Sequence, residues 1–228
     1  MILYLKDEEQ TRKLTLSSED LIDMYLDEGE EGTVYKYDAY ALKVYHPNCR
    51  KVRLDEKTCE RLMELRNLTY LVQMPQGMIL NQMKSFNGYY TYYVLAHCLQ
   101  EIYSLPMRIF TGLVKDVYRE LSILSDHHIS VCDFHLGNFC YDGNFNFVDP
   151  GSYELEDELS YFQLLTKNQT EFSRFITEDL LALLMFPHKK KRQKMIDHFE
   201  GIEYLPDILE DESDGKETVK KYIKRIID

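Results

Sequence analysis

The segment Asp133-Phe134-His135-Leu136-Gly137-Asn138 is followed, eleven residues after Asn138, by Asp149-Pro150-Gly151. An acid, an amide and a second acid in this order suit phosphoryl transfer. Asp133 can orient or deprotonate a hydroxyl. Asn138 and Asp149 can hold Mg²⁺ against the phosphates of ATP. D-x₄-N alone is common by chance; with an apolar strand ending in D-x-G behind it, the pattern is far more specific. Phe145-Asn146-Phe147-Val148 alternates and predicts that strand. Taken alone, Asp149 before Pro150-Gly151 is equally an acid that opens a turn. His135 reads as a structural hydrogen bonder rather than a second base.

The N-terminal part supplies the complementary half of a nucleotide site. Gly29-Glu30-Glu31-Gly32-Thr33-Val34 is a glycine-containing turn running into a strand. Glycines let backbone N–H groups approach phosphates, although Gly32 can also be a plain hairpin glycine. Lys43 interrupts the apolar run Ala41-Leu42-Lys43-Val44, either on a solvent face or aimed at a phosphate. Glu60, or Glu56 one turn before it, lies on the next helix and can pair with Lys43. On a surface helix either is ordinarily just a solvated charge.

The elements that must position these residues follow from periodicity. Residues 14–26 predict a short helix or loop entering a strand, and residues 33–46 predict two strands about Asp38, ended by Pro47-Asn48. Asp55 can cap a helix over 55–68, with Cys59, Leu62, Leu65 and Leu68 on one stripe. Met78–Leu80 and Tyr89–His97 read as strands, with Asn87-Gly88 as the turn before the second. A long helix spans Pro106–Asp126, with Ile109, Leu113, Val117, Leu121 and Leu124 on one stripe. Short strands over 138–141 and 144–148 are joined by Asp142-Gly143. Helices are expected at 158–166, 170–186, 189–199 and 216–227. Strands thus give way to helices near 97–105, predicting two lobes, 1–97 and 98–228, with a ligand cleft between them.

Composition narrows the class. The chain has 228 residues, 44 % apolar and 29 % charged, with a net charge of −12. That balance is ordinary for a globular protein and argues against a general nucleic-acid binder. No run suggests a membrane span, and the N-terminus turns charged too soon for a secretory segment, so a cytoplasmic location and no membrane partner are expected. Five scattered cysteines without a CxxC pair read as reduced thiols, and Cys132, His135 and Cys140 match no common zinc spacing. Lys189-Lys190-Lys191-Arg192 reads as a solvated helix start after Pro187, and Glu210–Gly215 as an exposed acidic loop.

In these motifs the chain resembles the protein-kinase-like fold. The kinase glycine loop reads GxGxxGxV. Gly29, Gly32 and Val34 match its second and third glycines and its valine, with Asp27 in place of the first glycine. Ala41-Leu42-Lys43 matches the A-x-K of the third strand, Asp133 to Asn138 the catalytic-loop spacing, and Asp149-Pro150-Gly151 stands where DFG would be. The likeness covers about residues 25–155. It implies an α+β, bilobal fold: a small antiparallel β N-lobe with one helix, and a mostly helical C-lobe. It further implies ATP lined by Val34 and Ala41, a hinge near Leu95–His97, and Lys43 on the α/β-phosphates, held by Glu60 or Glu56.

The departures carry their own implications. Val131-Cys132-Asp133 replaces H-R-D, so activation by loop phosphorylation is not expected. Pro150 replaces Phe, and no A-P-E follows. In this the chain is closer to the small bacterial kinase-like and aminoglycoside-phosphotransferase-like branches. The expected activity is ATP:Mg²⁺-dependent transfer of a phosphoryl group to a hydroxyl of a small molecule or protein. The acids Asp27, Glu28, Glu30 and Glu31 beside the glycine turn favour the alternative, a non-catalytic nucleotide-binding or scaffold protein. AMP transfer from ATP bound in reverse is a further variant. Oligomeric state is not readable.

Overall fold

The computed structural model describes residues 1–47, 49, 54–185, 188–202 and 204–228. The chain is mixed α+β, with one large antiparallel sheet and several helices. It divides into two units, Met1–Val94 with Val148–Tyr153, and Leu95–Phe147 with Glu154–Asp228. Among the described residues, no helix is long and apolar enough to cross a membrane.

The first unit is built on seven strands: β1 (Ile2–Lys6), β2 (Thr11–Thr15), β3 (Tyr25–Glu28), β4 (Gly32–Tyr37), β5 (Tyr40–Tyr45), β6 (Gly77–Leu80) and β7 (Phe86–Tyr92). Their order across the sheet is β2-β1-β6-β7-β5-β4-β3. Strand alternation gives the two faces different work. Leu42 and Val44 point to a core with Leu3, Leu5, Leu14, Leu16, Ile79 and Tyr90. The intervening residues, Ala41, Lys43 and Tyr45, point to the opposite face. A short helix, α1 (Ser18–Met24), enters β3 under a capping box made by Ser17 and Asp20.

Asp38 takes the turn between β4 and β5 with φ at +54°, a conformation that acidic and amide residues tolerate. The expected turn at Asn87-Gly88 is not there. Both residues lie inside β7, and Gly88 sits at φ +142° beside a register shift opposite Ile79 and Leu80. A Cβ on Gly88 would stand 2.0 Å from the Lys43 carbonyl oxygen, so the glycine serves close strand approach instead of a turn. The turn lies earlier, where the Asn81 side chain accepts from the N–H groups of Met83 and Ser85. β7 also ends at Tyr92, before the expected His97. The β1–β2 hairpin has no counterpart among the expected elements. The strand stop at Pro47-Asn48 falls partly outside the described residues.

The helix after β5, α2 (Glu56–Met63), begins where Asp55 accepts from the Thr58 N–H. It ends before the expected Leu68. The bonds Leu65 N–H to Leu62 and Arg66 N–H to Met63 tighten the chain into turns, and Leu68 is exposed. Cys59, Leu62 and Met63 are its buried face.

The second unit centres on α3 (Met107–Asp126), whose Phe110, Leu113, Val114, Val117, Leu121 and Leu124 are buried. Strand β8 (Ile129–Val131) follows it. The hairpin β9 (Phe139–Tyr141) and β10 (Phe145–Phe147) turns at Asp142-Gly143, with Gly143 at φ +109°. Helices α4 (Tyr161–Arg174), α5 (Lys189–Phe199), α6 (Leu205–Glu212) and α7 (Val219–Ile227) complete it. The expected break at 166–170 is absent: α4 runs through it because Asn168 is a buried bonding residue, and a wide π-type turn, Phe175–Leu180, follows. The acids Glu210 to Glu212 belong to α6 instead of a loop, where Lys115 meets Glu210 and His198 meets Glu212. The basic run opens α5, while Pro187 lies outside the described residues.

Candidate functional site

In the first unit the register of three strands assembles one site. Val34 pairs with Lys43, and Lys43 with Tyr89, so these side chains and that of Ala41 share a face. The segment Val148–Tyr153 returns to this unit and brings Asp149 to that face. Lys43 Nζ donates to Asp149 Oδ2 at 2.7 Å, across 106 residues of sequence. The Tyr89 hydroxyl donates to Asp149 Oδ1, which also accepts from the Gly151 N–H at 3.0 Å. Asp149 therefore opens the Pro150–Ser152 turn with one oxygen and holds the lysine with the other. Burial alone would raise this carboxyl. The Lys43 ammonium, with the hydrogen bonds from Lys43, Tyr89 and Gly151, holds it below the usual carboxylate range. Burial and the Asp149 charge push the Tyr89 phenol well above its ordinary value, so it remains a donor.

Two glycines have steric reasons. A Cβ on Gly151 would lie 2.9 Å from both Asp149 Oδ1 and the Tyr89 hydroxyl, and 3.1 Å from Lys43 Nζ. A Cβ on Gly32 would meet the Val44 carbonyl oxygen at 2.3 Å, so Gly32 is required by the packing of β4 on β5. Gly29 has open space around it.

The structure does not bring Glu60 to Lys43. Glu60 faces Lys6 at 3.6 Å and is exposed, because Cys59, Leu62 and Met63 take the sheet-facing side of α2. Glu56 is exposed at the start of the same helix. The second acid on Lys43 is Glu31, with Oε2 at 3.2 Å. Glu31 and Tyr89 are the residues sequence reasoning missed. Tyr89 becomes visible only once the β5–β7 register is known. Glu31 was counted among the repelling acids, and no spacing rule marks its inward turn.

In the second unit, the stretch carrying Asp133 is pinned on both sides. The Val131 N–H donates to Asn168 Oδ1 at 2.9 Å. Phe134 packs edge-on against Phe147 with ring centroids 4.7 Å apart, and meets Phe172 at 5.4 Å. His135 Nδ1 accepts from the Gly137 N–H at 3.0 Å, which leaves the proton on Nε2, 3.6 Å from Asp133 Oδ1. A Cβ on Gly137 would press on the His135 ring at 2.8 Å. Asn138 Nδ2 donates to the Asp133 carbonyl oxygen at 3.3 Å, tying the two ends of the D-x₄-N span together. Of the expected hinge residues, Leu95 is exposed, and the His97 backbone N–H donates to the Tyr141 carbonyl.

Asp149 in the first unit and the Asn138 amide in the second each offer an oxygen of the kind Mg²⁺ takes. Among the described residues, no group of three or more His, Cys, Asp or Glu side chains is arranged to hold a metal ion unaided. No family model and no curated protein sequence matches this chain.

Proposed function

We propose that this chain is an ATP:Mg²⁺-dependent phosphotransferase of the protein-kinase-like fold, acting on a hydroxyl of a small molecule or protein. The observation that carries the reading is the Lys43–Asp149 ion pair, with the Asp149 turn kept open at Gly151. A lysine on the second strand after the glycine turn and an acid from a D-x-G turn are two groups that phosphate and metal binding require in such a site. The first unit carries seven antiparallel strands and two helices, α1 and α2, more than the small β lobe with one helix that the motifs imply; α2 stands between β5 and β6 in the chain.

In this reading Lys43 moves from the carboxylates to the α/β-phosphates on binding. Asp149 and Asn138 are the residues that would hold Mg²⁺, and the ion would supply positive charge against the phosphates. Asp133 accepts the proton of the acceptor hydroxyl. The rate gain comes from positioning and charge stabilisation, since the protein forms no covalent bond with the phosphoryl group.

The Glu31–Lys43 contact favours a second reading, a nucleotide-binding or scaffold protein without transfer. Calorimetric titration with ATP, with and without Mg²⁺, on the wild type and Asp149→Ala tests the site. Mg²⁺-dependent binding lost in the variant supports it. Turnover assays on Asp133→Asn then separate the two readings: the enzyme reading expects binding retained and transfer abolished. Absence of nucleotide binding by the wild type in both conditions would remove the enzyme reading and favour the scaffold one.

A further inference from the structure

The second unit holds a cavity of about 430 Å³ between the turns that follow α4 and the start of α5. That size lies within the range of small-molecule pockets, about 300–1,000 Å³. Its apolar wall is Leu136, Ala182, Leu183 and Met185, of which Ala182 and Met185 are buried. Glu178 and Asp179 bring carboxylates to it, and Lys189 and Arg192, with His188 beside them, bring nitrogen donors. The helix is widened where the acids sit. The Thr177 hydroxyl turns back to the Ser173 carbonyl at 3.0 Å, and the Leu181 N–H donates to the Ile176 carbonyl at 2.9 Å. The wide turn Phe175–Leu180 results, with a tight one, Ala182–Met185, close behind it. Wide turns of this kind are frequent at functional sites. Arg192 Nη2 donates to the Glu178 carbonyl at 2.8 Å, anchoring the first turn of α5 to the wide turn.

Charges of both signs thus border an apolar wall without pairing with one another. Among the described residues, no cation stands within 4.0 Å of the Glu178 or Asp179 carboxylate, and no acid within 4.0 Å of Lys189. A purely apolar occupant would strip water from these groups and return no hydrogen bond. An occupant with one charge would answer only one of the two sets. A molecule with an ammonium and a carboxylate on an apolar body answers both. Its ammonium donates to Glu178 and Asp179, its carboxylate accepts from Lys189 and Arg192, and its side chains cover Leu136, Leu183 and Met185. At about 30 Å³ for a water, the cavity has room for roughly fourteen groups of that size. A free amino acid underfills it, and a dipeptide suits it. We propose that this cavity is a binding site for a small zwitterionic peptide, or a peptide-like molecule, with apolar side chains. The site stands apart from the nucleotide reading and does not depend on it.

The test is calorimetric titration of three probes into the full chain: leucyl-alanine, N-acetyl-leucyl-alanine and leucyl-alanine amide. The acetyl form lacks the ammonium and the amide lacks the carboxylate. Three variants accompany the wild type: Glu178→Gln/Asp179→Asn, Lys189→Gln and Lys190→Gln. Thermal melts check each, and should the double variant fail to fold, Lys189→Gln decides, since Lys189 is exposed. The wild type is expected to bind the free dipeptide about tenfold or more tighter than either blocked form. Glu178→Gln/Asp179→Asn is expected to lose the preference for the free amine, and Lys189→Gln to lose most of the preference for the free carboxylate. Lys190→Gln makes the same charge change outside the cavity wall and is expected to match the wild type. No saturable binding of leucyl-alanine by the wild type up to about 10 mM overturns the proposal. Equal affinities for the three probes overturn it as well. So does a preference that survives in both cavity variants, which would put the site elsewhere. An equal loss in Lys190→Gln would reduce the effect to the general charge of the basic run and overturn it too.

Discussion

Lys43→Met is the perturbation that most directly weighs the buried pair. It removes the cation and keeps the side-chain bulk, leaving the Asp149 carboxylate with Glu31 for company. Breaking a fully buried pair by deleting one partner costs about 3–5 kcal/mol. Asp149 keeps 30 % of its side-chain exposure and its bonds from Tyr89 and Gly151, so the discounted cost is about 2–3 kcal/mol. For a chain of this length that is a fall of about 4–12 °C in the melting temperature. Far-UV circular dichroism melts measure it, since the chain has no tryptophan.

The pH dependence is the sharper readout. The folded Asp149 carboxyl is depressed, so its contribution is fully present above the unfolded carboxylate value, ~3.9, and is lost as pH falls through the lower folded value. In Lys43→Met that contribution is gone at every pH. The gap between wild type and variant is therefore widest at neutral pH and closes in acid. The double variant Lys43→Met/Asp149→Asn, which also removes the Asp149 charge, is expected to recover about 1–3 kcal/mol relative to the single one. A Lys43→Met protein within about 0.5 kcal/mol of wild type at neutral pH would refute the reasoning. So would a gap that does not move with pH.

Gly151→Ala places a methyl group 2.9 Å from Asp149 Oδ1 and the Tyr89 hydroxyl. It is expected to cost about 1–3 kcal/mol and to weaken Mg²⁺-dependent ADP binding; an unchanged melt and an unchanged titration would contradict the steric account. Asn168→Leu leaves the Val131 N–H and Ile129 carbonyl without their buried partner. A loss of about 2–4 kcal/mol is expected, read as a lower urea midpoint at constant m value.

Local signals carried much of the fold. Asp38 at the β4–β5 turn, Leu113, Val117, Leu121 and Leu124 of the α3 stripe, and Asp142-Gly143 in the β9–β10 hairpin each depend on a few neighbouring residues and lie where the sequence pattern put them; Ile109, expected on the same stripe, is exposed, and Phe110 and Val114 take the buried side instead. Readings failed where a residue's job is set by a distant strand. Gly88 resembles half of an Asn-Gly turn, yet the Lys43 carbonyl oxygen across the ladder is what demands glycine. Asn168 resembles a loop residue, yet Ser125, Ile129 and Val131 engage its amide inside the second unit. The site shows the same division. Lys43 is legible as a charge inside an apolar run, and Asp149 as the acid that ends a strand before Pro150-Gly151. The choice of Glu31 over Glu60 as the lysine's second acid depends on the tilt of α2 and the tuck of a hairpin tip, which spacing does not encode.

The sheet ends on β3, whose four residues are all exposed, Tyr25 and Leu26 included. An outermost strand is a ready template for another chain to extend the sheet. Two features of β3 spoil that template: the register break between Tyr25 and Asp27, and the charges of Asp27 and Glu28. These are the acids that make the neighbouring glycine turn look hostile to a nucleotide. Their placement gives them a separate reason to be acidic, as a guard against self-assembly at the sheet's end.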